Sequence, residues 1–206
     1  MHYLVPRTEN CIGITYLTDV KIDRPLLNFF ENSSIALALA EVAGDHHLLM
    51  VNERFSELTG YRAEDVVGKN CRLLQTSPDG RQASNHEAKA KLRQFLTGDE
   101  ASVRTPIVNF RKDGTPFVNL LFMSRLTTSG GVTRYIFASQ FDISRSNPHL
   151  LDQYDQELGG ALSRIRPLLE GHNVMLEGTL STIANSTNAI AQAKVTLAEL
   201  DRNPTH

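Results

Sequence analysis

Tryptophan is absent from this chain of 206 residues, and cysteine occurs only twice. Cys11 and Cys71 stand far apart, without metal-ligand spacing and too few for a disulfide framework. In a reducing compartment they are expected to stay unpaired. Long apolar runs are also missing: Ile35–Ala40 falls well short of the ~18 residues of a membrane span. Met1–Arg7 lacks a basic stretch followed by an apolar core, so no secretion signal is expected and the protein is placed in the cytoplasm. No basic block exists either. Lys and Arg number 21 against 23 Asp and Glu, for a net charge of −2, which argues against nucleic acid as a partner. The histidines do not cluster into a metal site. His46 and His47 are adjacent and would point to opposite faces of a strand, so they read as a surface turn.

Hydrophobic residues make up 41% of the chain, enough for one domain with an appendage. Strand-like character first occurs at Cys11–Leu17, and Pro25–Phe30 reads as a helix start. The pattern then predicts strands over 35–42 and 47–51 around a Gly44-Asp45 turn. A helix over 53–59 follows, capped by Asn52 and closed by Gly60. Short helices are expected at 63–67 and 70–75, and a longer one at 86–97 ends at Gly98. Three strands follow at 103–111, 116–126 and 132–142, joined by hairpin turns. This order describes an α+β domain with helices on one face of a five-stranded antiparallel sheet. Residues 149–201 read as two helices with apolar stripes, Leu151 to Leu169 and Leu176 to Leu197, the second capped by Asn173.

The most informative segment is Gly68-Lys69-Asn70-Cys71-Arg72-Leu73-Leu74-Gln75. It surrounds a thiol with amide and guanidinium groups, whereas a structural cysteine behaves as a small hydrophobe. The stretch resembles the flavin-binding signature of the LOV family of blue-light receptors, and the element order resembles the PAS fold to which LOV domains belong. The resemblance implies a LOV domain over 30–143, an N-terminal extension over 1–29 and a two-helix extension over 147–206, as in short bacterial LOV proteins.

In that family the cysteine adds reversibly to the C4a atom of a photoexcited flavin, a role implied here for Cys71. FMN is the implied cofactor; FAD is an alternative because the long Thr76–Asn85 loop could admit its adenylate end, and riboflavin is a further alternative. The resemblance assigns flavin contacts to Asn70, Arg72, Gln75, Asn109, Asn119, Leu121 and Gln140. It also assigns a second phosphate-binding arginine on the helix after the loop, matched by Arg93, with Lys89 and Arg81 as rivals. Leu73 departs from the family's usual phenylalanine.

Two features allow geometric tests. With Asp113-Gly114 as a two-residue loop, Asn109 would face Val118, and Asn109 and Asn119 would point to opposite sheet faces. A loop one residue longer, or a bulge, would make them cross-strand partners; the flavin reading predicts that register. Gln140 shares a face with Ile136 and Ala138, while Tyr135, Phe137 and Phe141 join Val118, Leu120 and Phe122 on the other. That apolar face requires cover from terminal helices or a second subunit. A homodimer through the sheet face and helices is therefore expected, signalling to a downstream partner that is not identifiable.

Two other classes compete with a photoreceptor. A thiol enzyme using Cys71 is disfavoured because no histidine lies in a companion motif, and the chain is not expected to be an enzyme. A PAS module that binds another ligand or acts as a scaffold is the other alternative. The segment Glu177–Ile183 also resembles the dimerisation helix of sensor histidine kinases in degenerate form, with Val174 where the phosphorylated histidine would fall.

Overall fold

The computed structural model describes residues 8–11, 14–17, 24–145, 148–171, 173–177 and 187–202. Its strands are β1 (Thr8–Cys11), β2 (Ile14–Leu17), β3 (Ala36–Glu41), β4 (Leu48–Val51), β5 (Ser102–Phe110), β6 (Pro116–Thr128), β7 (Thr133–Asp142) and β8 (Val174–Leu176). The helices are α1 (Arg24–Glu31), α2 (Glu53–Thr59), α3 (Ala63–Val66), α4 (His86–Thr97), α5 (Pro148–Glu170) and α6 (Thr187–Arg202), with a 3-10 turn at Cys71–Gln75. One antiparallel sheet runs β1-β2-β4-β3-β7-β6-β5, and β8 pairs with β6. The expected five strands are contiguous in it, as β4-β3-β7-β6-β5. The single strand-like run at 11–17 instead divides between β1 and β2, which pair with each other and extend the sheet at β4.

Period-two alternation assigns the two faces. On the inner face, Ala36, Ala38 and Ala138 pack with Phe55, Val66 and Leu74 of the short helices, while Ile136 packs with Phe95 of α4. On the outer face, Val118, Leu120, Phe122 and Phe137 are buried against α1, α5 and α6. Tyr154, Leu158, Leu162, Ile165 and Leu169 of α5 are all buried, matching the expected stripe. The cover comes from within the chain. The bare sheet face is therefore not available to a second subunit as a dimer surface.

Polar contacts fix where α5 lies. Ser139 Oγ and Tyr154 OH are 2.8 Å apart, both buried, and the Tyr154 ring stacks on Phe141 with centroids 4.4 Å apart. Burial pushes the Tyr154 hydroxyl up to about 12, which keeps it protonated as a hydrogen-bonding group. Arg104 of β5 forms an ion pair with Asp155, and Ser34 Oγ donates to Glu157 at 3.0 Å.

The second C-terminal helix differs from its expected span. Val174–Leu176 is strand β8, paired with Leu126–Thr128, and α6 begins only at Thr187. Val174 and Leu176 are buried while Met175 is exposed, so three residues that fit a helical stripe also fit strand alternation. Asn173, expected as a helix cap, has φ +54 and reverses the chain after α5. Leu180 and Ile183, assigned to the same stripe, lie outside the described residues.

Asn52 does more than cap α2. Its Oδ1 accepts from Phe55 N at 3.1 Å and Leu37 N at 2.9 Å, and its Nδ2 donates to Ile35 O at 2.9 Å and Phe30 O at 3.2 Å. One carboxamide thus joins α1, β3 and α2. Asn85 supplies a similar link at the sheet edge, pairing with both the N–H and the C=O of Val108 at 3.0 and 2.8 Å; it occupies the place of a neighbouring strand on β5.

Asn52→Ala is expected to destabilise the fold by about 3 kcal/mol or more, because each buried group left without a partner costs about 1–3 kcal/mol. The loss should be read as a lower denaturant midpoint at unchanged slope. Ending the chain after Ser144 should expose Val118, Leu120, Phe122 and Phe137 together. The truncated protein is expected to self-associate more than the full chain by size-exclusion chromatography with light scattering; unchanged association would mean that α5 and α6 are not needed as cover.

Candidate functional site

Local backbone chemistry holds the thiol segment against the sheet. Gly68 has φ +80, a left-handed conformation that glycine adopts without strain. Its N–H donates to Leu48 O at 2.8 Å, and Lys69 O accepts from Leu48 N at 2.9 Å. Asn70 then caps the 3-10 turn through Oδ1, which accepts from Arg72 N at 2.8 Å. Its Nδ2 donates to the carbonyl of Asp45. Cys71, a half-buried free thiol, therefore starts the turn at a fixed position facing the inner side of the sheet.

A cavity of about 400 Å³ lies between that turn, α4 and the inner sheet face. Its size is within the range of small-molecule sites. Every residue assigned a role on sequence lines it: Asn70, Cys71, Arg72, Gln75, Arg93, Asn109, Asn119, Leu121 and Gln140. Lys89 lines it too. Arg81 does not: its Nε bonds Asp79 Oδ2 at 2.9 Å and its Nη2 bonds Gly114 O at 3.0 Å, which pins it to the β5–β6 hairpin. Small side chains make the space, since Ala38, Ala40 and Ala138 lie in register across β3 and β7.

The hairpin answers the register question with a difference. Arg111 N donates to Thr115 O and Gly114 N to Arg111 O, each at 2.9 Å, and Gly114 has φ +85. This is a three-residue loop, Lys112-Asp113-Gly114, closed by a left-handed glycine. It has the extra residue that the flavin reading requires, but begins one position earlier than direct pairing would need. Asn109 faces Phe117 and Asn119 faces Ile107. The two asparagines accordingly share a face as diagonal neighbours rather than direct partners, and Asn119 Nδ2 donates to Asn109 Oδ1 at 3.0 Å.

Gln140 sits opposite Leu121 on one side and Ala36 on the other. It is 2% exposed, and neither its Oε1 nor its Nε2 has a hydrogen-bond partner. Asn119 Oδ1 is likewise unpartnered. Leaving such groups unpaired costs about 1–3 kcal/mol each, so three orphaned amide atoms around one cavity call for a polar ligand. The cations differ in their engagement. Arg72 is exposed and holds Asp45 through two bonds of 2.7 and 2.6 Å, whereas Lys89 and Arg93 have no ion pair among the described residues.

Burial pushes the Cys71 thiol up to about 12. It is protonated at neutral pH, without the thiolate that a thiol enzyme requires of its nucleophile. One lining residue escaped the sequence reading. His46 lies in a turn, as expected, yet its ring borders the cavity with Nδ1 buried and unpartnered. Treating the His46-His47 pair as surface missed this, because turn propensity does not say which side chain points inward. Among the described residues no group of three or more metal-ligating side chains occurs, and no helix is long and apolar enough to cross a membrane.

Residues 33–145 match the PAS domain family. Blue-light-activated histidine kinase 1 of Erythrobacter litoralis is 31% identical over 129 residues, covering 61% of this chain and 34% of that protein. A blue-light-activated histidine kinase of Brucella anthropi is 35% identical over 103 residues, covering 48% of this chain and 19% of that protein. The chain thus spans about a third or less of these relatives. Among solved structures, the Rhodobacter sphaeroides LOV protein aligns with a TM-score of 0.61 and 25% identity over 86% of this chain and 94% of its own. That alignment reaches beyond the PAS match into the flanking elements. A cavity beside Cys71, the antiparallel sheet around it and these likenesses agree: the chain belongs to the PAS domain family and carries a LOV photoreceptor domain.

Proposed function

We propose that the chain is a blue-light receptor that binds a flavin nucleotide in the inner-face cavity, with residues 30–143 as the receptor domain and 1–29 and 147–206 as its extensions. The observation that carries this reading is the buried, partnerless carboxamide of Gln140 in the same cavity as the Cys71 thiol. The amide-rich side of the cavity suits the donor and acceptor edge of a flavin ring. The apolar walls at Leu48, Ile107, Leu121 and Ile136 suit its faces, and Lys89 and Arg93 suit a phosphate. None of residues 76–85 lines the cavity, so the long loop offers no place for an adenylate; this favours FMN over FAD.

A bound flavin supplies light absorption and an electrophilic ring carbon. Cys71 would supply the thiol that meets that carbon: its sulfur would form the new bond, and the proton released from its S–H would go to the adjacent ring nitrogen. A protonated thiol suits this role, because excitation rather than a lowered pKa drives the step. Gln140 can meet the change at the nitrogen by turning its amide, presenting oxygen where nitrogen stood before. Ser139, the next residue, faces the other way and contacts Tyr154, so α5 is the element placed to respond. A homodimer in this reading uses surfaces other than the covered sheet face.

Purified protein is expected to be yellow and to bleach reversibly in blue light. Cys71→Ala should retain flavin but lose reversible bleaching, while Cys11→Ala should bleach as the unmodified chain does. Bleaching and recovery unaltered in Cys71→Ala would remove that thiol from the reaction. Gln140→Leu should still bleach, with a small shift of its dark absorption, and should lose the light-dependent change in solution scattering; a full scattering response would exclude Gln140 as the transmitting group.

A further inference from the structure

His46 is the cavity residue whose chemistry is unaccounted for. Its backbone has φ +54 and Gly44, two residues earlier, has φ +63, so the turn before β4 passes twice through the left-handed region. That conformation is unfavourable for a residue with a Cβ, although histidine tolerates it better than most. Contacts on either side impose it. Asp45 is tied to Arg72 by its carboxylate and to Asn70 by its carbonyl. His47 forms a bridge with Asn70, and its Nδ1 is 2.8 Å from Glu41 Oε1. The turn is therefore clamped to the Asn70–Arg72 segment, and His46 has one way to face.

It faces the cavity. The Nδ1 atom is buried without a partner, while the same atom of neighbouring His47 is bonded. Strained backbone together with an unsatisfied buried nitrogen is a combination that concentrates at ligand sites. The position also selects which part of a ligand it meets. His46 enters from the turn that leads into β4, beside Arg72, with β3 and β7 between it and Asn119 on β6. The amides that suit a ring edge thus lie across the sheet from it, while the Arg72 guanidinium is held beside it by Asp45.

We propose that His46 hydrogen-bonds the polyol–phosphate tail of the bound flavin, and that its left-handed backbone is retained for this contact. The inference rests on the flavin reading above. A merely structural histidine and a ligand-contacting one respond in opposite ways to glycine, which accepts the backbone conformation but removes the ring.

The test uses the full chain, stripped of flavin and titrated with FMN, riboflavin and lumiflavin, which has the ring without the tail. His46→Gly is expected to weaken FMN and riboflavin about tenfold, in line with one lost hydrogen bond. Lumiflavin affinity should be unchanged, and the flavin-free melting temperature should stay level or rise. An unchanged FMN affinity overturns the proposal. So does a fall in melting temperature with equal weakening of all three flavins, which is the result for a structural residue. Lumiflavin weakening as much as FMN would put the contact on the ring and also overturn it. If the unmodified chain binds none of the three, the flavin reading itself fails, a result distinguishable from the others.

Discussion

Strict alternation along β6 and β7 is the constraint on which the rest depends. Both strands are buried on both faces, so each residue must suit the side it is given. Asn119, Leu121 and Gln140 face inward while Leu120, Phe122, Phe137 and Ser139 face outward. A slip of one residue would send amides into the helical interface and aromatic rings into the cavity. Polar contacts oppose such a slip from both sides, through Asn119 and Asn109 within and Ser139 and Tyr154 without. Site and helix docking are thus two sides of one piece of backbone. Motion at Gln140 has Ser139 as its nearest neighbour.

The contrast among buried amides gives the cavity its meaning. Asn52 satisfies both ends of its side chain within the fold, and Asn85 pairs with both backbone groups of Val108. Arg125, another partly buried polar group, donates to the carbonyls of Phe95, Gly98 and Glu100 at the end of α4. These groups are structural and complete. Gln140 is buried equally well and remains incomplete, as does Asn119 Oδ1 in the same cavity, although the chain satisfies the carboxamides of Asn52 and Asn85. Incomplete carboxamides that share one cavity have the signature of a binding site rather than of poor packing.

Much of this was legible in the sequence, for identifiable reasons. Turn and cap residues such as Asn52, Gly60 and Gly98 act locally, and the helices between them fall where the pattern places them. The apolar stripe of α5 is long enough to be unambiguous. Three-residue β8 is not, since Val174 and Leu176 satisfy strand and helix patterns alike, and pairing with β6 decides between them. The site motif around Cys71 was legible because its residues are contiguous. His46 was not, because its burial depends on Asp45 reaching Arg72 across 27 positions. The start of the β5–β6 loop was missed by one residue, since Asp113-Gly114 is a turn in either register.

Burial of Cys71 has a consequence for the protein's chemical durability. A thiol pushed up to about 12 holds very little thiolate at pH 7. Peroxides, alkylating agents and small disulfides react with the thiolate, so the same burial that withholds an activated nucleophile also protects the sulfur from attrition. Such a residue is expected to be oxidised more slowly than an exposed cysteine of ordinary pKa. Its readiness over time is a property of the apolar wall around it as much as of the sulfur itself.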